Sequence, residues 1–348
     1  MEYINGTQDL WDRIEATAYF ILEDFPKEST SLSWVDYLFA LIVLCKRYVA
    51  SIDDCEVKEA FGDIMQHYPG QMNQLTKTKP IPVNTLIDEY GDEIVEHLYS
   101  LANVLEAFSS VAYEKLPEAG EAMALDSLEI YSSLAFILDT THAILEWSVS
   151  AQSVSKFYHE RGMLKHAVAH GVYAFNVSKQ ALEREPSLIR AAERYAYASH
   201  NLGSLFFNMA DYENADRLLS TYLEVMTKLH DINPETHTIT SSYLAALHEC
   251  GDCLTQLGRF QEAADNYNRL INEWIYYHKK DPQLASMWIY YYFSARCGIA
   301  RILVEVNDPR AYNEAIILCD LMKECDCPSD YEPMENVIEI LSRLKSPL

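Results

Sequence analysis

Apolar residues along this chain of 348 recur every three to four positions, the spacing of one face of an α-helix, and no segment shows the period-two alternation of a strand. Leu10, Trp11, Ile14, Ala18 and Ile21 form one such stripe, which predicts a helix over about 8–24. A second, over about 32–50, carries W-V-D-Y-L-F-A-L-I-V-L-C and is apolar nearly all round, the pattern of a helix buried between neighbours. Asp53 and Asp54 offer N-caps for a third over about 55–67, which Pro69-Gly70 ends. Residues 71–84 lose the period and contain Pro80 and Pro82, which predicts a linker or exposed loop over 69–84. Helical periodicity returns over about 85–112, and again over about 119–133 after Pro117.

From about residue 138 a longer register takes over. Pro186, Pro234 and Pro282 are spaced by 48 residues, as are Ala167, Ala215 and Ala263, and the series Gly162, Ala210 and Gly258. Gly203 and Gly251 share the spacing, inside the superposable segments H-N-L-G (200–203) and H-E-C-G (248–251). A fixed long period predicts stacked structural repeats. Each unit is expected to open at or near its proline with a helix of about 22 residues, turn tightly, and return through a second helix of about 18–20. The turns fall at Arg161-Gly162, Ala210-Asp211 and Gly258-Arg259. Asn233-Pro234 and Asp281-Pro282 read as helix starts, a capping side chain followed by a proline whose missing N–H would be orphaned anyway. Glu185-Pro186 is a weaker version, and the first unit opens at Leu138-Asp139 with no proline. A fourth unit drifts: Gly298 falls one residue short of the register, and the stretch 307–316 lengthens the turn by about four residues. Pro333 begins a last helix over 333–348, whose polar outer face suits an end cap.

Two segments, Leu202 to Leu219 (L-G-S-L-F-F-N-M-A-D-Y-E-N-A-D-R-L-L) and Cys250 to Tyr267 (C-G-D-C-L-T-Q-L-G-R-F-Q-E-A-A-D-N-Y), resemble tetratricopeptide repeats. Gly203/Ala215 and Gly251/Ala263 match that family's small-residue pair, and Ser155/Ala167 fills the same places in the first unit. Small side chains there let two antiparallel helices approach. The large residues the family packs beside them correspond to Phe206, Leu219 and Tyr222, then to Leu254, Tyr267 and Leu270. The units depart from the family in length, 48 residues against about 34, and in placing Ser199 and Leu247 where it has a tryptophan. The resemblance spans about 138–328 well and 85–137 only in helical content, and does not reach 1–84. It implies an all-α fold, a right-handed α-solenoid of TPR-like helical hairpins over 138–332, and the helical periodicity adds a possible degenerate hairpin over 85–137, an acidic helical segment over 1–68 and the terminal helix over 333–348.

The same resemblance implies that a peptide or helix binds in the groove lined by the first helix of each unit. It places Gln152, Lys156 and His159, with Glu160, on that face in the first unit. The second unit supplies Tyr197, His200, Ser204, Phe207 and Asn208, and the third Ala245, His248, Asp252, Thr255 and Gln256. These faces are polar for helices inside an apolar protein, as a wet binding groove requires. His200 and His248 are register mates on adjacent helices; a pH-sensitive or metal-bridging pair is one reading, and ordinary hydrogen bonds, in the absence of further ligands, the favoured one.

Charge narrows the partner. Residues 1–150 carry 26 acidic and 8 basic side chains, net −18, and residues 151–348 carry 26 and 19, net −7. The total of −25 opposes nucleic acid and anionic membrane surfaces; its simplest reading is solubility, and if charge guides a partner, the acidic N-terminal half favours a basic protein or peptide. No apolar run approaches the roughly 20 residues that span a bilayer, and the polar N-terminal residues show no export signal. With eight cysteines mostly inside helical patterns, the expectation is a reduced, cytoplasmic protein. Cys250-x-x-Cys253, Cys325-x-Cys327 and the pair His166/His170 lack the further ligands a metal site needs, so no metal and no cofactor are expected. The aromatic cluster Trp274, Tyr276, Tyr277, Trp288, Tyr290, Tyr291, Tyr292 and Phe293 reads as packing. Phosphate loops, a serine elbow and paired acid–base carboxylates do not stand out. The function expected is a non-enzymatic interaction module or adaptor. The alternative is a peptide-sensing regulator whose ligand alters the superhelix. The oligomeric state is not legible in the chain.

Overall fold

The computed structural model describes Val83–Tyr90, part of the stretch 95–113, residues 117–325, Cys327 and 331–345. The three helices expected before residue 69, and the linker up to residue 82, lie outside the described residues. All regular elements among the described residues are α-helices, paired in sequence order as antiparallel TPR-like hairpins. The chain divides into two compact units, Met1–Glu185 and Pro186–Leu348.

Unit 1 contains α1 (Val83–Tyr90), helical residues between 95 and 113, α2 (Pro117–Leu138), α3 (Thr141–Glu160) and α4 (Leu164–Arg184). Pro117 occupies the first position of α2, where its absent donor costs nothing. The first repeat opens slightly later than Leu138-Asp139. Asp139 turns the chain at φ 44°, and Thr140 caps α3 by accepting from the Ala143 amide at 3.2 Å. The Arg184 guanidinium, at the end of α4, holds both the carboxylate and the carbonyl of Asp139. Gly162 takes φ +71° at the turn, with open space around it. Serine-to-carbonyl bonds mark the buried helix crossings. Ser127 donates to the Ala102 carbonyl at 2.9 Å, Ser148 to that of Ala174 at 3.3 Å, and Ser155 to that of Ala167 at 2.7 Å.

Unit 2 holds two hairpins in strict register: α5 (Ile189–Asn208) with α6 (Tyr212–Ile232), and α7 (His237–Gln256) with α8 (Phe260–Lys280). Both first helices have 20 residues and both second helices 21, and the turns use Ala210 at φ 58° and Gly258 at φ 72°. The prolines need a correction. α5 begins at Ile189 and α7 at His237, so Pro186 and Pro234 precede their helices by three residues. Pro234 instead follows Asn233 in a turn closed by the Thr236 amide on the Asn233 carbonyl, at 3.1 Å. The Pro234 carbonyl is then taken by the Tyr277 hydroxyl at 2.8 Å and by Thr240 Oγ1 at 3.2 Å. Only Asp281-Pro282 starts a helix, with Asp281 Oδ1 accepting from the Leu284 amide at 3.0 Å. That helix, α9 (Pro282–Ser286), ends after five residues.

The core of unit 2 centres on Tyr267. A Cβ on Gly251 would lie 2.5 Å from its ring, and one on Gly298, in α10 (Ile289–Glu305), 2.4 Å from it. Two glycines on different helices thus let one aromatic side chain fill the crossing, and Tyr267 is fully buried. Leu219, Tyr222, Leu254, Leu270, Ser199 and Leu247 are buried at their register positions, while Phe206 is half-buried. In the drifted unit, Asn307 takes φ 54°, α11 (Ala311–Glu324) follows, and Ala315 packs with Ala300. The last helix, α12 (Glu332–Lys345), buries Met334, Val337 and Ile340 and turns Glu335, Glu339 and Arg343 to solvent. Half of the aromatic cluster is core: Trp274, Tyr277, Trp288 and Phe293 are buried, Tyr290, Tyr291 and Tyr292 are half-buried, and Trp274 stacks with His278 and with Tyr292. Tyr276 is the exception, exposed on α8.

Candidate functional site

In unit 2 the first-helix residues singled out from the sequence form a row of side chains that largely hold one another. Tyr197 on α5 lies with its hydroxyl 3.3 Å from Ser242 Oγ on α7. His200 Nε2 reaches Glu249 Oε1 of α7 at 2.9 Å, its Nδ1 lies 3.2 Å from Asn201 Oδ1, and its ring packs 4.8 Å from that of Tyr222. Burial alone would pull the His200 imidazole down. The Glu249 carboxylate outweighs it, so its pKa is raised.

His248 does not meet His200. It lies 3.5 Å from Asp252 Oδ2 one turn along its own helix, among the rings of Tyr267, Tyr290 and Tyr291. The His200 ring is instead engaged by Glu249, the neighbour of His248 on α7. Asp252 Oδ1 accepts from the Tyr267 hydroxyl at 2.6 Å, which ties the face to the core. Thr255 turns its hydroxyl back to the Gly251 carbonyl at 2.8 Å. Phe207 is half-buried, edge-on to Tyr212 at 5.3 Å, and Ser204 and Ala245 are half-buried. Asn208 and Gln256, the last residues of α5 and α7, stand exposed at equivalent places.

In unit 1 the corresponding residues lie on α3. Gln152 is half-buried, its Nε2 3.4 Å from Ser148 Oγ. Lys156 is exposed and 3.7 Å from Glu160, and His159 is half-buried near the end of the helix. Glu249 and Ser242 also belong to the row in unit 2 and were not anticipated, while Tyr290 and Tyr291, read from the sequence as packing, lie half-buried beside His248. The H-E pair at 248–249 was the one available signal for Glu249.

Other candidates resolve into packing. Cys250, Cys253 and Cys297 are buried, and burial pushes the Cys250 thiol well up, that of Cys253 to about 11 and that of Cys297 to about 12. Thiols so disfavoured as thiolates are poor nucleophiles and ligands. His166 and His170 both stack on Tyr158, at 5.1 and 5.3 Å, and the Tyr158 hydroxyl donates to Glu121 at 2.7 Å. Among the described residues no group of three His, Cys, Asp or Glu side chains is placed to hold a metal ion, and no helix is long and apolar enough to cross a membrane.

No family model matches the chain, and no curated protein does. Solved structures do. One is a variant of a kinesin light chain-type protein of nearly identical TPR-like repeats from Podosopora anserina, 16% identical over 67% of this chain and 99% of that one, with a TM-score of 0.46. BtubC (BKLC) from P. vanneervenii is 13% identical over 77% and 89%, with a TM-score of 0.37. A Rap protein complexed with competence and sporulation factor is 14% identical over 98% and 96%, also at 0.37. At these identities the helix pairing described above, rather than the likeness, carries the fold.

Proposed function

We propose that the chain is a non-enzymatic protein-interaction module whose first-helix face in unit 2 receives a peptide or helix of a partner protein. One observation carries this reading. Along α5 and α7 the polar side chains of Tyr197, His200, His248 and Asp252 are each held by a neighbouring polar group, and an exposed amide, Asn208 or Gln256, ends each helix. Groups oriented in advance lose little entropy on binding, and side-chain amides can both donate to and accept from an extended backbone. Phe207 adds an apolar contact at the Asn208 end. The formal charge of −25 favours a basic partner and disfavours nucleic acid or an anionic membrane, and a cytoplasmic location fits the eight cysteines. Gln152, Lys156 and His159 would serve the same purpose on α3.

The test is the double substitution Asn208→Ala with Gln256→Ala. Both residues are exposed, so helicity and melting temperature should stay within error of the parent while recovery of partners in affinity purification falls. Unchanged recovery with intact folding would remove this face from the account.

A further inference from the structure

Unit 1 contains a cavity of about 400 Å³ where the helical residues of 95–113 meet α2 and α3, lined by Asn103, Glu106, Ser109, Ser110, Ser153 and Glu160, with Phe157 as an apolar wall. Its size lies within the roughly 300–1,000 Å³ common for ligand sites. The lining is rich in oxygen acceptors, and its one carboxylate away from the rim, Glu106, has serines as its polar partners. Burial pushes the Glu106 carboxyl up, the Ser153 hydroxyl on the lining pulls it back, and Glu146 on α3 pushes it up again. Tyr131 of α2 faces the same carboxylates and engages Asn103 Oδ1 at 2.7 Å.

Among the described residues, the cations of the neighbourhood are committed elsewhere. Lys156, on the lining, pairs with Glu160 at 3.7 Å. Arg161 lies 3.6 Å over the Phe157 ring and 4.4 Å over that of Tyr113, and donates to the Phe157 carbonyl at 2.7 Å. Among the described residues no cation is paired with Glu106, and a partly desolvated carboxylate is a good receptor for one, because an arriving positive charge offsets the cost of its burial.

We propose that this cavity is a subsite for one cationic group, an ammonium or guanidinium, seated on Glu106 and hydrogen-bonded to the hydroxyls of Ser109, Ser110 and Ser153. The group could be the side chain of a basic peptide or a free amine. Phe157 would pack against the methylene stem. The site lies wholly in unit 1, so its fate is separate from that of the Asn208 and Gln256 face in unit 2.

Calorimetric titration of the full chain with a short peptide containing a single arginine, and separately with arginine amide, tests it. Each titration is run near physiological salt, in two buffers of different ionisation heat, at a pH between the carboxylate range and neutrality. A cation on Glu106 lowers its proton affinity, so binding should release protons, and Glu106→Gln should abolish that release and weaken binding at least about tenfold. Glu183→Gln, an exposed acid paired with Lys179 on α4, should change neither and controls for general attraction to an acidic protein. Binding of the peptide alone assigns the group to a protein partner, and binding of both ligands assigns it to cations of either source. Equal affinity and proton release in Glu106→Gln and the parent, or no saturable binding of either ligand, overturns the subsite.

Discussion

The helix crossings of the two units solve one problem with different chemistry. In unit 2 two glycines, Gly251 and Gly298, make room for the whole ring of Tyr267, and the crossing is filled by contact. In unit 1 the place of Gly251 is held by Ser155, whose hydroxyl donates at 2.7 Å to the carbonyl of Ala167, the equivalent of Ala263, with two more serine-to-carbonyl bonds at neighbouring crossings. A small pair sets how closely two helices approach; what fills the remaining space decides what the unit can do. The ring in unit 2 also fixes Asp252, and with it the polar row on the first helices. In unit 1 the cavity around Glu106 is lined by Ser153, Val154, Lys156 and Phe157, the neighbours of Ser155 on α3.

The largest expected effect comes from emptying the filled crossing. Tyr267→Ala should destabilise unit 2 by about 3–5 kcal/mol, the range for removing a buried aromatic, read from denaturant unfolding. Gly298→Ala should cost about 1–3 kcal/mol by forcing a methyl into the ring, and that cost should vanish in the Tyr267→Ala background. An additive double mutant would show that ring and glycine are not coupled. In unit 1, Ser155→Ala should cost only about 0.5–1.5 kcal/mol, one buried hydrogen bond. A loss as large as that of Tyr267→Ala would erase the contrast.

The smallest effect is a pH dependence. The folded pKa of His200 is raised above its ordinary 6.5, so the pairing with Glu249 stabilises fully below that value and fades as pH rises through the folded one. The melting-temperature gap between the parent and Glu249→Gln should therefore be widest near pH 5.5 and narrow toward about 8.5. A gap constant across that range would contradict the ion pair.

Much of the fold was legible because the 48-residue register shows in the small residues. Ala167, Ala215, Ala263, Gly203 and Gly251 all lie buried at helix crossings. The prolines misled by three residues for a physical reason. Asparagine followed by proline suits both the first turn of a helix and the second place of a β-turn, and the choice at 233–234 goes with the Tyr277 and Thr240 hydroxyls, one of them 43 residues away. The site was half legible: helical spacing placed His200, Asn208, His248 and Gln256 on one side of their helices. It did not reveal that Glu249, the neighbour of His248, is the side chain of α7 that reaches His200. Nor did it reveal Glu106, whose segment matches the repeat only in helical content and whose setting comes from three elements brought together by folding.

The central claim is that partners meet the first-helix face of unit 2. A photo-crosslinking residue placed at 208 or 256, compared with one at the exposed second-helix positions Glu224 and Asn268, tests it most directly. The account predicts partner adducts from 208 and 256 and none from 224 and 268. Adducts confined to the second-helix positions, or spread equally over all four, would contradict it.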